Sequence, residues 1–410
     1  MAQRLGLTDS EHRRYLAHLF GNHDFEIEVE VLSTEGKVLA GVRETLLDGQ
    51  VNIQPRDNAI RRTASLTFHD PDRRLGLDTR SPYATSLFLD RMVRVQHTVV
   101  VPGVGRVTAT PFVGPVITVT RDGETLTVEC HDKAAFAVRG RPPIRVKGGT
   151  NCVDAIRRIM AATGENRFRL PEKNDRRTPK SKPFNVGWSD EASPWTVANK
   201  IAALTGMRLD YSCDGYLTLR PLPSKPALAL NEKRLTANPT VAYDATNVVN
   251  AVRVQGTIRP KKKPKKPAKD EKDKKVKVEK VAVSAIAKKR HPLSPDNLGR
   301  NGAPRYLPKF IDGDQYRRQA DAADLAKREL RQGLNLASST TTATCVPVFH
   351  LDNDDVISVA TDTTTARLRL GEGSIPLGIG GDMTIGYQRA VSFRRTKPKP
   401  RRRGRGRNRG

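Results

Sequence analysis

Metal ions, phosphates and scissile bonds are handled by a short list of side chains, and in this 410-residue chain they are spread thin. A zinc peptidase needs two imidazoles one helical turn apart with a glutamate base. The eight histidines, at 12, 18, 23, 69, 97, 131, 291 and 350, never take that spacing. His12 and His18 fall in one expected helix but are six positions apart, so they do not face each other. His69-Asp70-Pro71-Asp72 sets an imidazole beside two carboxylates, a set that could hold a metal. The same residues make a polar turn at a strand end with Asx-type hydrogen bonds, and that reading is preferred. Asp352-Asn353-Asp354-Asp355 crowds oxygens of the kind Ca²⁺ accepts, yet it lacks the glycine and distal glutamate of a calcium loop. It is read as a turn before a strand at 356–361. Glycines 371, 373, 378, 380 and 381 come without the Lys-Ser or Lys-Thr of a phosphate loop and are expected to form a bulged hairpin connection. No Gly-x-Ser-x-Gly elbow occurs, and Cys130 and His131, adjacent on a strand, project to opposite faces. The expectation is therefore a non-enzyme, with no catalytic residue, no metal ligand and no cofactor.

Cys130, Cys152, Cys213 and Cys345 lie far apart, which suits neither a zinc site nor a disulfide framework. They are expected to be reduced thiols, mostly buried. No apolar run approaches the roughly 18 residues of a membrane span, and the first residues lack the apolar core of a secretion signal, so synthesis in a cytoplasm is expected. The net charge of +28 points first to a nucleic-acid binder, but its distribution is uneven. Residues 394–410 hold ten Arg or Lys and no acid, and residues 259–277 hold eleven against three acids. Those two segments carry 18 of the 28 charges and have too little apolar surface to offset the entropy of ordering.

The elements around these residues are mostly strands. Residues 8–20 read as a helix capped by Thr8 or Asp9. Phe25, Ile27, Val29 and Val31 then alternate with Glu26, Glu28 and Glu30, the period of a half-buried strand. Strands follow at 64–68, 93–101, 111–120 and 126–130, separated by turns at Asp48-Gly49, Pro102-Gly103 and Asp122-Gly123. Helices are expected at 151–163 and 194–205, the second stopped by Gly206, with a hairpin over 208–220. A strand at 247–255, the lysine-rich stretch, a strand at 281–286 and a helix from Gln315 to Gly333 come next. Strands at 340–347, 356–361, 365–370 and 383–393 complete the pattern. The fold class is α+β, mainly β: two antiparallel β-barrels flanking a small α+β domain.

Several segments in order resemble the minor tail or baseplate hub proteins of long-tailed (actinobacterial, siphovirus-like) bacteriophages. They are Ala64-Ser65-Leu66-Thr67-Phe68-His69-Asp70-Pro71-Asp72, Arg91-Met92-Val93-Arg94-Val95, Phe112-Val113-Gly114-Pro115-Val116 and Leu126-Thr127-Val128-Glu129-Cys130-His131-Asp132. Further on come Ser193-Pro194-Trp195, the run from Ile201 to Gly206, the run from Leu209 to Leu217, and Asn247 to Gly256. Ser294-Pro295, Gly299-Arg300, Pro347, Asp354-Asp355-Val356-Ile357 and Gly381-Asp382-Met383-Thr384 end the set. The resemblance spans most of residues 20–393. It implies a virion protein at the tail tip: a ring-forming subunit, often a trimer, whose tail-hub-like barrels join the tube or distal tail ring to the central fibre and host-contact apparatus. The implied partners are further copies of itself, the distal tail protein, the tape measure protein and the central fibre. The expected units are a helical segment at 1–20, a first barrel at 21–132, a small α+β domain at 133–240, a second barrel at 241–393 with a disordered insertion at 259–280, and a basic tail at 394–410.

The lysine insertion and arginine tail depart from that pattern. Arg401, Arg402, Arg403, Arg405, Arg407 and Arg409, with Lys261, Lys262 and Lys263, are the candidate contacts for DNA or for an acidic protein. A nucleic-acid-binding protein is the alternative reading, and a tail-associated cell-wall hydrolase a second. Strand edges in 25–31 and 92–101 and the helix from Gln315 are the expected contact surfaces of a ring.

Overall fold

The computed structural model describes residues 5–21, 23–42, 45–55, 58–73, 75, 87, 91–140, 142–172, 174–179, 184–186, 192–242, 248–258, 279–312, 319–336, 340–360, 365–378 and 380–389. The chain opens with helix α1 (Asp9–Leu19), then β1 (Phe25–Leu32), β2 (Val38–Val42), β3 (Leu46–Ile53), β4 (Arg62–His69), β5 (Met92–Val101), β6 (Gly105–Asp122) and β7 (Thr125–His131). The middle carries α2 (Ala134–Arg139), β8 (Ile144–Val146), α3 (Cys152–Ala161), β9 (Phe168–Arg169), β10 (Phe184–Val186), α4 (Pro194–Thr205), β11 (Arg208–Tyr211) and β12 (Leu217–Arg220). There follow β13 (Pro226–Leu230), β14 (Leu235–Ala242), β15 (Ala251–Ile258), β16 (Glu279–Ile286), α5 (Pro295–Leu298) and β17 (Pro308–Asp312). The last elements are α6 (Gln319–Leu336), β18 (Thr340–Cys345), β19 (Val356–Ala360), β20 (Thr365–Pro376) and β21 (Met383–Arg389).

Local chemistry explains the clearest elements. Thr8 and Glu11 form a reciprocal capping box at the start of α1, satisfying two N–H groups that a helix end leaves without partners. Ser193 caps α4, Pro194 occupies its first turn, and Gly206 ends it with φ of +73°, a conformation glycine adopts without a Cβ penalty. A two-residue turn, Gly123-Glu124, joins β6 to β7, with Asp122 as the last strand residue opposite Thr125, one position on from the expected Asp122-Gly123 pair.

The fold is mainly β. Thirteen described strands join in one large sheet, whose main path runs β14-β18-β21-β20-β3-β4-β7-β6-β5-β1-β2, with β13 and β19 attached through β20. The strands the sequence divides between two barrels thus share one sheet: β20 pairs with β3, Gly373 opposite Ile53. The described pairings do not close into a barrel. Strand β6 makes the turn of direction, pairing β5 with its first part and β7 with its second. Beneath the sheet lies one core, holding Val29, Val31, Val93 and Val95 together with Ile357, Val359, Met383 and Ile385. A second core gathers α3 and α4 over β11 and β12, with Trp195 stacked on Tyr211 at 5.7 Å. In a third, Leu325, Ala326 and Leu330 of α6 cover Val252 and Val254.

Three sequence expectations change. Asp48-Gly49 is not a turn but lies inside β3, where a Cβ on Gly49 would sit 2.8 Å from Leu377 Cδ1. Gly371 and Gly373 lie within β20, which runs on to Pro376; a Cβ on Gly373 would meet the Thr384 carbonyl at 2.7 Å, so glycine serves close strand packing there. Strand 92–101 is no edge, since β1 and β6 flank it, and Val29–Leu32 sits between β2 and β5. The helix expected from Gln315 is present from Gln319 onward, and residues 315–318 lie outside the described residues.

Candidate functional site

The run Asp352-Asn353-Asp354-Asp355 is the turn before a strand that its sequence suggests, with Asn353 and Asp354 at the turn and β19 starting at Val356, but it is a buried turn. Every residue from Val348 to Ile357 is buried, and the four polar side chains are at most 3% exposed. Burying carboxylates without partners is prohibitively costly, so cations and N–H donors must reach them. Those partners come from three distant parts of the chain.

Asp352 has Arg220 Nη2 at 3.1 Å on Oδ2 and accepts the Cys213 N–H at 3.1 Å and the Asn353 N–H at 3.1 Å on Oδ1. Arg220 also donates to the Asn353 carbonyl at 3.3 Å. The Arg62 guanidinium, 2% exposed as a residue, donates to the carbonyls of Leu351 at 2.9 Å and Pro111 at 2.6 Å. Asp354, held at φ of +63°, receives Arg208 Nε at 3.0 Å and Arg61 Nη1 at 3.5 Å, while Arg369 donates to its carbonyl at 3.0 Å. Arg61 also lies 3.6 Å from Asp210, and Asn353 Nδ2 donates to Asp210 at 3.4 Å. Asp132 accepts the backbone N–H groups of Arg61 at 2.7 Å, Arg62 at 2.9 Å and Ala134 at 3.0 Å, tying the start of β4 to the start of α2.

Arg61, Arg62, Arg208 and Arg220 thus face Asp210, Asp352 and Asp354, Arg369 lies beside Asp354 and Asp355, and Asp132 is held by backbone N–H groups. Burial pushes the Asp132 carboxyl up to about 7, with the charge of Asp210 adding to it. Burial likewise raises Asp210 to about 6, against the pull of Arg61. A second buried pair stands alongside. Lys133 Nζ lies 2.7 Å from Glu165, which also accepts the N–H groups of Asn166 and Arg167. Lys133 donates further to the Gly215 carbonyl at 3.4 Å.

The arrangement works as a clamp. Guanidinium forks and N–H donors occupy the carboxylates, and their directionality admits one mutual placement of the β3–β4 connection, the β11–β12 hairpin and the 348–355 segment. Among the described residues no group of three or more His, Cys, Asp or Glu is placed to hold a metal ion. At His69-Asp70-Pro71-Asp72, Asp70 turns inward to Arg121 and accepts the Leu75 N–H at 3.1 Å. All four cysteines are buried and free, and burial raises the thiol pKa of Cys130, Cys152 and Cys345.

The same segment also holds α1. His350 and His12 approach to 3.4 Å through their Nε2 atoms, and Tyr15 packs edge-on against His350. His97 stacks on Phe349 with ring centroids 3.8 Å apart, and burial drives its imidazole down to about 3. Arg401, Arg402, Arg403, Arg405, Arg407, Arg409, Lys261, Lys262 and Lys263 lie outside the described residues. The clamp arginines carry no local sequence signal. The one hint was four polar residues bracketed by Val348–Leu351 and Val356-Ile357, apolar flanks that imply burial.

No family model matches the chain, and no curated protein does. Solved structures do. The tail protein from Neisseria meningitidis MC58 superposes with a TM-score of 0.56 at 15% identity, covering 89% of this chain and 96% of its own. The 43 kDa tail protein of prophage MuSo2 from Shewanella oneidensis gives 0.54 at 13% identity, covering 89% and 98%. The chain shares the fold of these tail proteins. At such identities the likeness is one of backbone, and it extends over nearly the whole length of both chains. Among the described residues, no helix is long and apolar enough to cross a membrane.

Proposed function

We propose that the protein is a structural subunit of a phage-type tail, located in the virion at the tail tip or baseplate hub. The observation that carries this reading is the fold shared with two tail proteins over 89% of the chain. In this reading residues 21–132 and 241–393 act as the two barrel-like halves of the subunit, with 133–240 as the small domain between them. Three copies form a ring that joins the tube or distal tail protein to the tape measure protein and central fibre. The buried clamp supports a scaffold role, because a ring that transmits load requires each subunit to keep one internal geometry.

Light scattering of the purified full chain at 0.15 M NaCl tests the reading. A closed ring of three 45.3 kDa chains is expected. A monomer at 100 µM protein would overturn it, and growth in mass only on adding DNA would favour the nucleic-acid alternative.

A further inference from the structure

Five of the eight histidines gather around helix α1. His12 meets His350 with ring centroids 5.3 Å apart and the two Nε2 atoms at 3.4 Å. Beside His350, Phe349 stacks on His97 at 3.8 Å, and His97 lies 5.2 Å from Phe25. Phe25 lies 6.1 Å from His23, which in turn is 5.5 Å from His18 in the last turn of α1. The string of rings therefore leaves the helix near its start and returns to it near its end. Between those points Tyr15 and Leu19 are fully buried, and Leu16 and Phe20 pack on the large core.

The groups around His12 favour its neutral form. Burial holds its imidazole below the ordinary value, the chain's amino group acts the same way, and Asp9 opposes them. Glu11 is occupied by the Thr8 cap, Arg13 donates to the Asp9 carbonyl, and Arg14 donates to the Gly103 carbonyl. Facing α1 from the 348–355 segment, His350 is 2% exposed and has Tyr15 edge-on at 5.4 Å. The carboxylates further along are engaged: Asp352 by Arg220, Asp354 by Arg208, and Asp355 by the Asp352 N–H. His97, on β5, is a third buried imidazole rather than a counter-charge. While both rings of the pair are neutral, one Nε2 can donate and the other accept. One proton places a charge in a buried contact, and two set like charges and two N–H groups against each other across 3.4 Å.

We propose that α1 is an acid-released latch, docked while His12 and His350 are neutral and undocked in mild acid as the pair takes up protons. The latch does not depend on the ring reading. A histidine kept neutral when docked and free to titrate at about 6.5 when released favours docking above pH 6.5, and that contribution is lost as pH falls. At pH 5 each excluded proton raises the released-to-docked ratio about 30-fold. Release uncovers Tyr15, Leu19 and the core they cover, so the subunit presents a different apolar surface in acid.

Hydrogen exchange of the full-length chain at pH 7.5 and pH 5, corrected for the intrinsic rate at each pH, tests the latch with α4 as the internal reference. Protection at Tyr15–Phe20 is expected to fall about 30-fold or more between the two, well beyond any fall in α4. His12→Gln, which keeps a hydrogen-bonding side chain that does not titrate, is expected to reduce the fall in α1 at least about fivefold. A loss of α1 protection no greater than that of α4 overturns the latch. So does a His12→Gln variant whose α1 loses as much protection as the wild type. If His12→Gln fails to fold, His12→Phe is read by the same two comparisons.

Discussion

Replacing Arg62 with methionine asks whether the buried clamp holds the subunit together or merely occupies space. Methionine keeps much of the side chain's reach and removes its charge and all its donors. Besides a marginal contact to Asn353 Oδ1 at 3.5 Å, two short bonds disappear, to the carbonyls of Pro111 at 2.6 Å and Leu351 at 2.9 Å. A hydrogen bond from a charged donor contributes about 1.5–3 kcal/mol net, so their loss amounts to about 3–6 kcal/mol. Asp352 is not stranded, because Arg220 remains at 3.1 Å and the Cys213 N–H still reaches it. The expected cost is therefore about 4 kcal/mol, within the range for breaking a buried ionic contact. Urea unfolding followed by circular dichroism measures it, with Arg106→Met as the control. Arg106 pairs with Glu26 at 2.7 Å where both side chains are about half exposed, and such a pair is worth under about 1 kcal/mol. Amide exchange at Leu351–Asp355 should quicken in the first variant alone. A midpoint shift for Arg62→Met no larger than for Arg106→Met would refute the reasoning.

Two further outcomes follow from single side chains. His97 has a folded pKa of about 3, below its unfolded value of 6.5, so its contribution to stability is present above pH 6.5 and is lost as pH falls toward 3. By pH 5 that loss is about 2 kcal/mol; His97→Phe, which keeps the stack on Phe349, should gain that much more over the wild type at pH 5 than at pH 8, and parallel stability curves would count against it. A Cβ on Gly114 would sit 1.8 Å from the His131 carbonyl oxygen, so Gly114→Ala must part β6 from its neighbour. It should cost at least about 3 kcal/mol and leave little soluble protein, and a melting midpoint within a few degrees of the wild type would show that the strands yield more readily than argued.

Legibility followed the range of the interactions. Helix α4 could be read in full because Ser193, Pro194 and Gly206 signal its ends within the element itself. The hairpin after Asp122 is equally local, while the cap of α1, left open between Thr8 and Asp9 in the sequence, falls to Thr8. Helix α2 was missed: it has six residues, and Lys133 at its N-cap makes no side-chain capping bond. Asp48-Gly49 misled because its glycine answers to Leu377, a neighbour more than three hundred residues away. The clamp lay beyond reach for a similar reason. Asp352 is 132 positions from Arg220, and Arg61 is 293 from Asp354, so no window of sequence contains both halves. Charge patterning does not convey the row of Arg253, Ser284 and Phe310, which exists only once register is set.

The pairing of β3 with β20 has a consequence for how the molecule is made. Ile53 leaves the ribosome 320 residues before Gly373, its partner across the sheet. Until then β3 has β4 on one side and an open hydrogen-bonding edge on the other, an aggregation-prone state while translation continues. Large sequence separation also makes closure a slow step. The sheet is therefore finished only when synthesis reaches the C-terminal strands.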